Sequence, residues 1–327
     1  MVSRAEVADY IASWDVDSSL GRVGEITRFA HGENHAVYRV RCVDQGDVAR
    51  HVVVRISNAD SEDDRAQAGR EAAVLAHLRG TASPRLIDFR TGGPFAGHAV
   101  MCLEHVDGTF EPLDTAPPHQ MAHLGAAVQR THAIPVEDLA LVLQAPPELS
   151  TYVENRRQSM LARMPLVRDP LPEAVQRRFR EVAAWVEQTT DQLRRADDPG
   201  SPVLLHGDVS SGNVLWTPQP VLIDWEYARI GDPADEIGYV FGQNALRPDQ
   251  REGFWRGYGR GLEPASLARV VERAASWEPL TLFGSALYWV DLWSRRVRAD
   301  ASSLVDSSAA KAPSYYLDHA TRYLDRI

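Results

Sequence analysis

The chain has 327 residues, 44% of them hydrophobic, and a formal net charge of −10. That length is enough for one or two buried cores, and the acidic balance argues against a nucleic-acid backbone as partner. It suits a cationic small molecule, or does no more than keep the surface soluble.

The first 25 residues hold no apolar core segment, so no secretory leader is expected. The most apolar run, Leu280 to Trp293, is too short to cross a bilayer and contains Asp291, so no membrane span is expected either. Cys42 and Cys102 lie in strand-like apolar runs and read as small core residues of a cytoplasmic protein. Lys311 is the single lysine, so a phosphate-holding base in the N-terminal half has to be an arginine.

Ser3-Arg4-Ala5-Glu6 is a capping box and predicts a helix to about Trp14. Val23 to Phe29 and Val37 to Val43 alternate apolar and polar residues as half-buried strands do, and a Gly-containing loop, residues 30–36, joins them. His51 to Ile56 is the next strand and carries Arg55. Ser61 opens a helix with Glu62, Asp63 and Asp64 in its first turn, where the macrodipole favours acids. On that helix Val74, Leu75 and Leu78 stand three, four and seven residues beyond Glu71, which puts Glu71 on the apolar stripe. A carboxylate there needs a partner unless it reaches water at the stripe's edge, and Arg55 is the natural one.

Pro84 to Phe89 and Ala99 to Glu104 read as two further strands around a Gly-Pro-rich turn. Pro117 to His132 keeps a helical spacing, and 147–163 and 171–196 read as charged amphipathic helices separated by Pro165 and Pro170. Asp232-Pro233 starts another helix, with Asp235 and Glu236 suiting its dipole. Helices from Asp249 and Pro264 then lead into an aromatic segment with Trp277, Tyr288, Trp289 and Trp293. Such faces build a core or cage a protonated amine, and the sequence leaves both open.

The most informative stretch is His206-Gly207-Asp208-Val209-Ser210-Ser211-Gly212-Asn213, followed by Ile223-Asp224-Trp225-Glu226. Val203 to Leu205, Val214 to Trp216 and Val221 to Ile223 are too short for helices and read as strands, with turn residues at Thr217 to Pro220. The unit presents a carboxylate, an amide and a second carboxylate: oxygen ligands suited to Mg²⁺, plus a proton acceptor. An Asp, an Asn five residues on, and a metal-binding Asp on a nearby strand are the parts of a phosphoryl-transfer site. A His one residue before the Gly-Asp could also suggest a hydrolase pair, but no Ser or Cys nucleophile signature accompanies it.

These motifs, with Gly231-Asp232-Pro233, resemble the aminoglycoside phosphotransferase and choline kinase family. The resemblance runs from about residue 23 to about 245 and implies an α+β, two-lobed protein-kinase-like fold. An N-terminal lobe, 1–105, would hold an antiparallel sheet with one helix; a hinge would fall near 104–108; and 106–327 would form a mainly helical catalytic and acceptor-binding lobe.

By the same resemblance Asp208 is the catalytic acceptor of the hydroxyl proton, with His206 anchoring its loop, and Asn213 and Asp224 hold Mg²⁺. Arg55, set by Glu71, meets the phosphates of ATP or GTP; Gly32 and Asn34 belong to the loop over the phosphates; backbone groups of Glu104 and Val106 meet the purine. The family usually has Asp where Glu236 stands, supporting the catalytic loop.

The implied activity is transfer of the γ-phosphate to a hydroxyl of an aminoglycoside-like or other cationic antibiotic. Alternatives are a metabolic kinase for choline, thiamine or a similar alcohol, and a catalytically silent nucleotide-binding protein. Macrolide kinases tend to have His at the position of Asn213.

Overall fold

The computed structural model describes residues 22–29, 35–43, 47–57, 61–91, 98–168, 170–196, 199–302 and 311–327, together with Asp9. The helix expected over Ser3 to Trp14 and the loop carrying Gly32 and Asn34 lie outside the described residues.

Strands β1 (Arg22–Arg28), β2 (His35–Val43), β3 (Ala49–Ser57), β4 (Leu86–Arg90) and β5 (Val100–Glu104) form one antiparallel sheet in the order β1-β2-β3-β5-β4. Strand alternation divides its faces. Tyr38, Val40, Cys42, Val52, Val54, Ile56 and Cys102 share one buried cluster. Val53 and Arg55 lie on the other face, where Arg55 pairs in register with Val37 on β2 and Met101 on β5.

Helix α1 (Glu62–Leu78) follows β3, with Ser61 Oγ accepting the Asp64 N–H at 3.1 Å as its cap. Ala72, Val74, Leu75 and Leu78 of α1, with Met101 and Leu103 of β5, belong to the same large core as the helical part.

Beyond Glu104 the chain runs through residues 105–108 into a second lobe. Helices α2 (Pro118–His132), α3 (Leu149–Leu161) and α4 (Glu173–Arg194) precede three short strands, β6 (Val203–Leu205), β7 (Val214–Leu215) and β8 (Val221–Leu222). Strand β9 (Arg229–Gly231) and helices α5 (Pro233–Asn244), α6 (Pro248–Tyr258), α7 (Pro264–Ser302) and α8 (Pro313–Leu324) complete it. An antiparallel sheet with one helix, joined to a mainly helical lobe, is the two-lobed protein-kinase-like fold.

Helix α7 runs without a break through Pro279. Its Trp277, Leu280, Phe283, Ala286, Leu287, Val290 and Trp293 recur at three- and four-residue steps and are buried. The aromatic segment therefore divides: Trp277 and Trp293 are core, whereas Tyr288 is 41% exposed. Among the described residues no helix is long and apolar enough to cross a membrane. Helix α8 was not foreseen in the sequence.

Helices α2 and α6 touch backbone to backbone. A Cβ on Gly257 would come within 1.8 Å of the Ala122 carbonyl oxygen, so this crossing needs a residue without one.

Candidate active site

The site is assembled by two antiparallel strand pairings. β7 and β8 pair Val214 with Leu222, and the Ile223 N–H donates to the Asn213 carbonyl at 3.0 Å, so Asn213 and Asp224 become neighbours. β6 and β9 pair Leu205 with Arg229, which brings the start of the catalytic loop beside the segment leading to α5.

Asn213 Nδ2 donates to Asp208 twice, to its carbonyl at 3.0 Å and to Oδ2 at 2.8 Å. Both partners are pure acceptors, so the amide orientation is fixed and Oδ1 is the atom that can meet a cation. The other carboxylate oxygen of Asp208, Oδ1, accepts from the Tyr239 hydroxyl at 2.5 Å.

His206 is fully buried and packs at a tilt against Trp225, with ring centroids 4.5 Å apart and planes 58° to each other. One ring nitrogen, Nε2, lies 2.9 Å from the Ile223 carbonyl; the other, Nδ1, accepts the Asp208 N–H at 3.2 Å. These partners assign the Nε2–H tautomer. With no exposed surface and both ring nitrogens engaged, His206 ties the loop to Ile223 and to the Asp208 backbone, the anchoring place expected of it.

The ion pair expected across the sheet forms. Arg55 Nη1 donates to Glu71 Oε1 at 2.7 Å, and Glu71 is 2% exposed, so it does not reach water at the stripe's edge. That same Oε1 accepts the Trp225 N–H at 3.1 Å, which joins α1 to the corner just after Asp224. Arg55 Nη2 donates to Asp224 Oδ1 at 2.9 Å and lies 3.2 Å from His35 Nδ1. Desolvation lowers the guanidinium's pKa, but Glu71 and Asp224 outweigh it, so Arg55 stays charged. Burial first, then the Arg55 charge, push the His35 imidazole down to about 4, so it is neutral at pH 7.

Asp224 has φ 66° and ψ 68°, a left-handed conformation that a short polar residue tolerates better than most. His35, Asp224 and Glu226 each bring a ligand atom within 4.8 Å of the others. With Asn213 Oδ1, the carboxylates make a hard-oxygen donor set that fits Mg²⁺, whereas His35 is turned to Arg55.

Helix α5 holds the catalytic loop along its length. Glu236 Oε1 accepts the Gly207 N–H at 2.7 Å, and Glu236 Oε2 lies 2.9 Å from His132 Nε2. Asn244 Nδ2 donates to the Val209 carbonyl at 3.2 Å. Burial works to raise the Glu236 pKa, but the bonds from His132 and Gly207 prevail and hold it below the usual carboxylate range.

The first-turn acids thus do more than complement a dipole. Asp232 caps the Ala234 N–H at 3.0 Å while also accepting from Arg273 and, at 2.8 Å, from Trp277 Nε1. Asp235 is buried between Arg229 at 3.0 Å, Arg156 at 3.1 Å and the Tyr152 hydroxyl.

Gly207 has φ 89°, and a Cβ there would sit 2.2 Å from the Tyr227 carbonyl oxygen, so the loop requires glycine at this position. Glu104 spends its N–H on the Arg85 carbonyl at 2.9 Å, so at most its carbonyl can face a purine.

A charged arginine paired with a helix carboxylate, together with an Asp-Asn couple and a second Asp on a protein-kinase-like fold, is the set of groups that phosphoryl transfer calls for. The model of the phosphotransferase enzyme family matches residues 25–269, and the chain belongs to that family. A search of the curated proteins finds no match.

Among solved structures, the chain is similar to an ethanolamine kinase from Plasmodium vivax, with 14% identity, TM-score 0.63, and 97% of this chain and 84% of that one covered. It is also similar to an aminoglycoside 2′-phosphotransferase solved with GDP, with 15% identity, TM-score 0.63, and coverage of 98% and 95%. A macrolide 2′-phosphotransferase from Brachybacterium faecium gives 22% identity, TM-score 0.58, and coverage of 92% and 99%. At these identities the likeness is one of fold.

Proposed function

We propose that this phosphotransferase moves the γ-phosphate of ATP or GTP to a hydroxyl of a small cationic acceptor of the aminoglycoside type. The observation that carries the reading is the convergence of Asp208 and Asn213 from the loop between β6 and β7, Asp224 from the end of β8 and Arg55 from β3. The nucleotide would lie under the sheet face bearing Val53 and Arg55, with its purine at the hinge near 104–108 and the Val106 backbone.

Asp208 would take up or orient the acceptor hydroxyl. Arg55 would give its Nη2 edge, now on Asp224, to a phosphate and keep its Nη1 edge on Glu71. Asp224 and Asn213 would hold Mg²⁺, which neutralises phosphate charge when bound. The chemistry then rests on positioning and charge.

A metabolic small-alcohol kinase is the second reading. It draws on Tyr227, 47% exposed, and Tyr288, 41% exposed, whose faces suit a quaternary amine.

The test is nucleoside-diphosphate release with Mg-ATP and Mg-GTP across aminoglycosides, related antibiotics, choline, ethanolamine and thiamine. Acceptor-dependent release that vanishes in Asp208→Ala supports the kinase and names its acceptor class. Undiminished release in Asp208→Ala, with nucleotide affinity unchanged, sinks the assignment of the base. Saturable nucleotide binding with no release for any acceptor leaves the silent nucleotide-binding protein as the better description.

A further inference from the structure

Tyr239 stands on α5, three residues beyond Glu236, and so faces the catalytic loop one turn further along the helix. Its hydroxyl is 2.5 Å from Asp208 Oδ1, and Asn213 Nδ2 is 2.8 Å from Oδ2. The two carboxylate oxygens are thus held by donors from two different elements. Without such donors the terminal torsion of an aspartate is broad, and its carboxylate samples many orientations. Burial, then the charge of Asp208, raise the Tyr239 pKa well above the usual value, so the phenol keeps its proton and remains a donor.

We propose that Tyr239 is a positioning residue for phosphoryl transfer: it fixes the plane of the Asp208 carboxylate so that a free lone pair meets the acceptor hydroxyl in line with the nucleotide. The inference rests on the kinase reading. In a loose transition state, orientation of the nucleophile matters more than the strength of the base, so fixing the carboxylate favours turnover.

The experiment compares the full chain with Tyr239→Phe, Asp208→Ala and the double variant. Each is assayed for diphosphate release with Mg-ATP and Mg-GTP and the acceptor panel, and for nucleotide affinity by calorimetry. In the parent background Tyr239→Phe should lower kcat by about 10-fold to 100-fold, the worth of a hydrogen bond to a charged group, and leave the nucleotide KM and affinity unchanged. Asp208→Ala removes the carboxylate that Tyr239 positions, so the double variant should be as inactive as Asp208→Ala and bind nucleotide with the same affinity as it does.

A loss carried by nucleotide KM, or a fall in nucleotide affinity from Asp208→Ala to the double variant, reduces Tyr239 to a packing residue and overturns the proposal. Parent-like kcat in Tyr239→Phe, with Asp208→Ala inactive, overturns it too and leaves the kinase reading intact. If the parent itself shows no release, or Asp208→Ala retains it, the kinase reading fails and the proposal falls with it. Tyr239→Trp, which keeps a ring N–H donor, should recover part of the lost kcat; no recovery where Phe and Trp bind nucleotide equally counts against a donor role.

Discussion

At the residue scale the decisive group is Arg55, because one guanidinium serves two carboxylates that belong to different lobes. Glu71 takes Nη1 and Asp224 takes Nη2. A lysine has a compact charge in place of the planar fork and cannot span both partners in this way. Arg55→Lys should therefore fold but raise the nucleotide KM several-fold, read from steady-state kinetics; an unchanged KM removes Arg55 from the phosphate site. Asp224→Asn keeps the side-chain shape and its tolerance of the left-handed backbone while losing the charge. We expect Mg-nucleotide affinity to fall by about tenfold or more in calorimetric titration, since one charge-assisted interaction is lost. Equal affinity with and without the charge would argue that the metal is held elsewhere. Legibility in the sequence follows the same logic. Glu71 could be paired with Arg55 because a carboxylate on an apolar stripe demands a partner. Tyr239 could not be found, because a tyrosine among Ile237, Val240 and Phe241 looks the same whether its hydroxyl meets water or a carboxylate 31 positions away. The available signal was its helical spacing from Glu236.

At the element scale the catalytic loop is held from below by α5 and pinned from the side by β9. Glu236, Tyr239 and Asn244 meet Gly207, Asp208 and Val209 in order, so helix and loop share a register. Gly207 is where this arrangement tolerates least. A side chain there faces both a positive φ and the Tyr227 carbonyl. Gly207→Ala should cost about 1–3 kcal/mol from strain and overpacking and should reduce turnover by more than that loss of stability implies. Thermal melting and kinetics on one preparation check this; an active variant with parent-like melting would show that the loop has room to adjust. The β7–β8 hairpin and the helix starts at Ser61 and Asp232 were legible because apolar runs, turn residues and caps are local signals. Helix α8 was not: only Ala320 and Leu324 of it are buried, and much of its packing is of aromatic rings near Trp289 of the preceding helix, which leaves little aliphatic stripe to read.

At the scale of the whole molecule, the helical lobe carries buried acids whose ionisation is linked to folding. Burial tends to raise the pKa of Asp235, but Arg156 and Arg229 outweigh it; for Glu236 the bonds from His132 and Gly207 do the same. Both carboxyls therefore titrate lower in the folded chain than in the unfolded one, where they sit near about 4. A depressed folded pKa contributes stability that is present above the unfolded value and is lost as pH falls through the folded one. The protein should hold its melting temperature from neutral pH down to about pH 5 and lose it steeply below. Glu236→Gln separates this mechanism from general acid repulsion. The variant should be less stable than the parent at pH 7 by about 1–3 kcal/mol, the worth of hydrogen bonds to a charged group. It should also have a shallower acid limb, so that the two curves converge as the parent's Glu236 protonates. Parallel curves from pH 7 to pH 3 would show that Glu236 is not a linked group. The acid limb would then belong to Asp235 and its two arginines, and Asp235→Asn should flatten it instead.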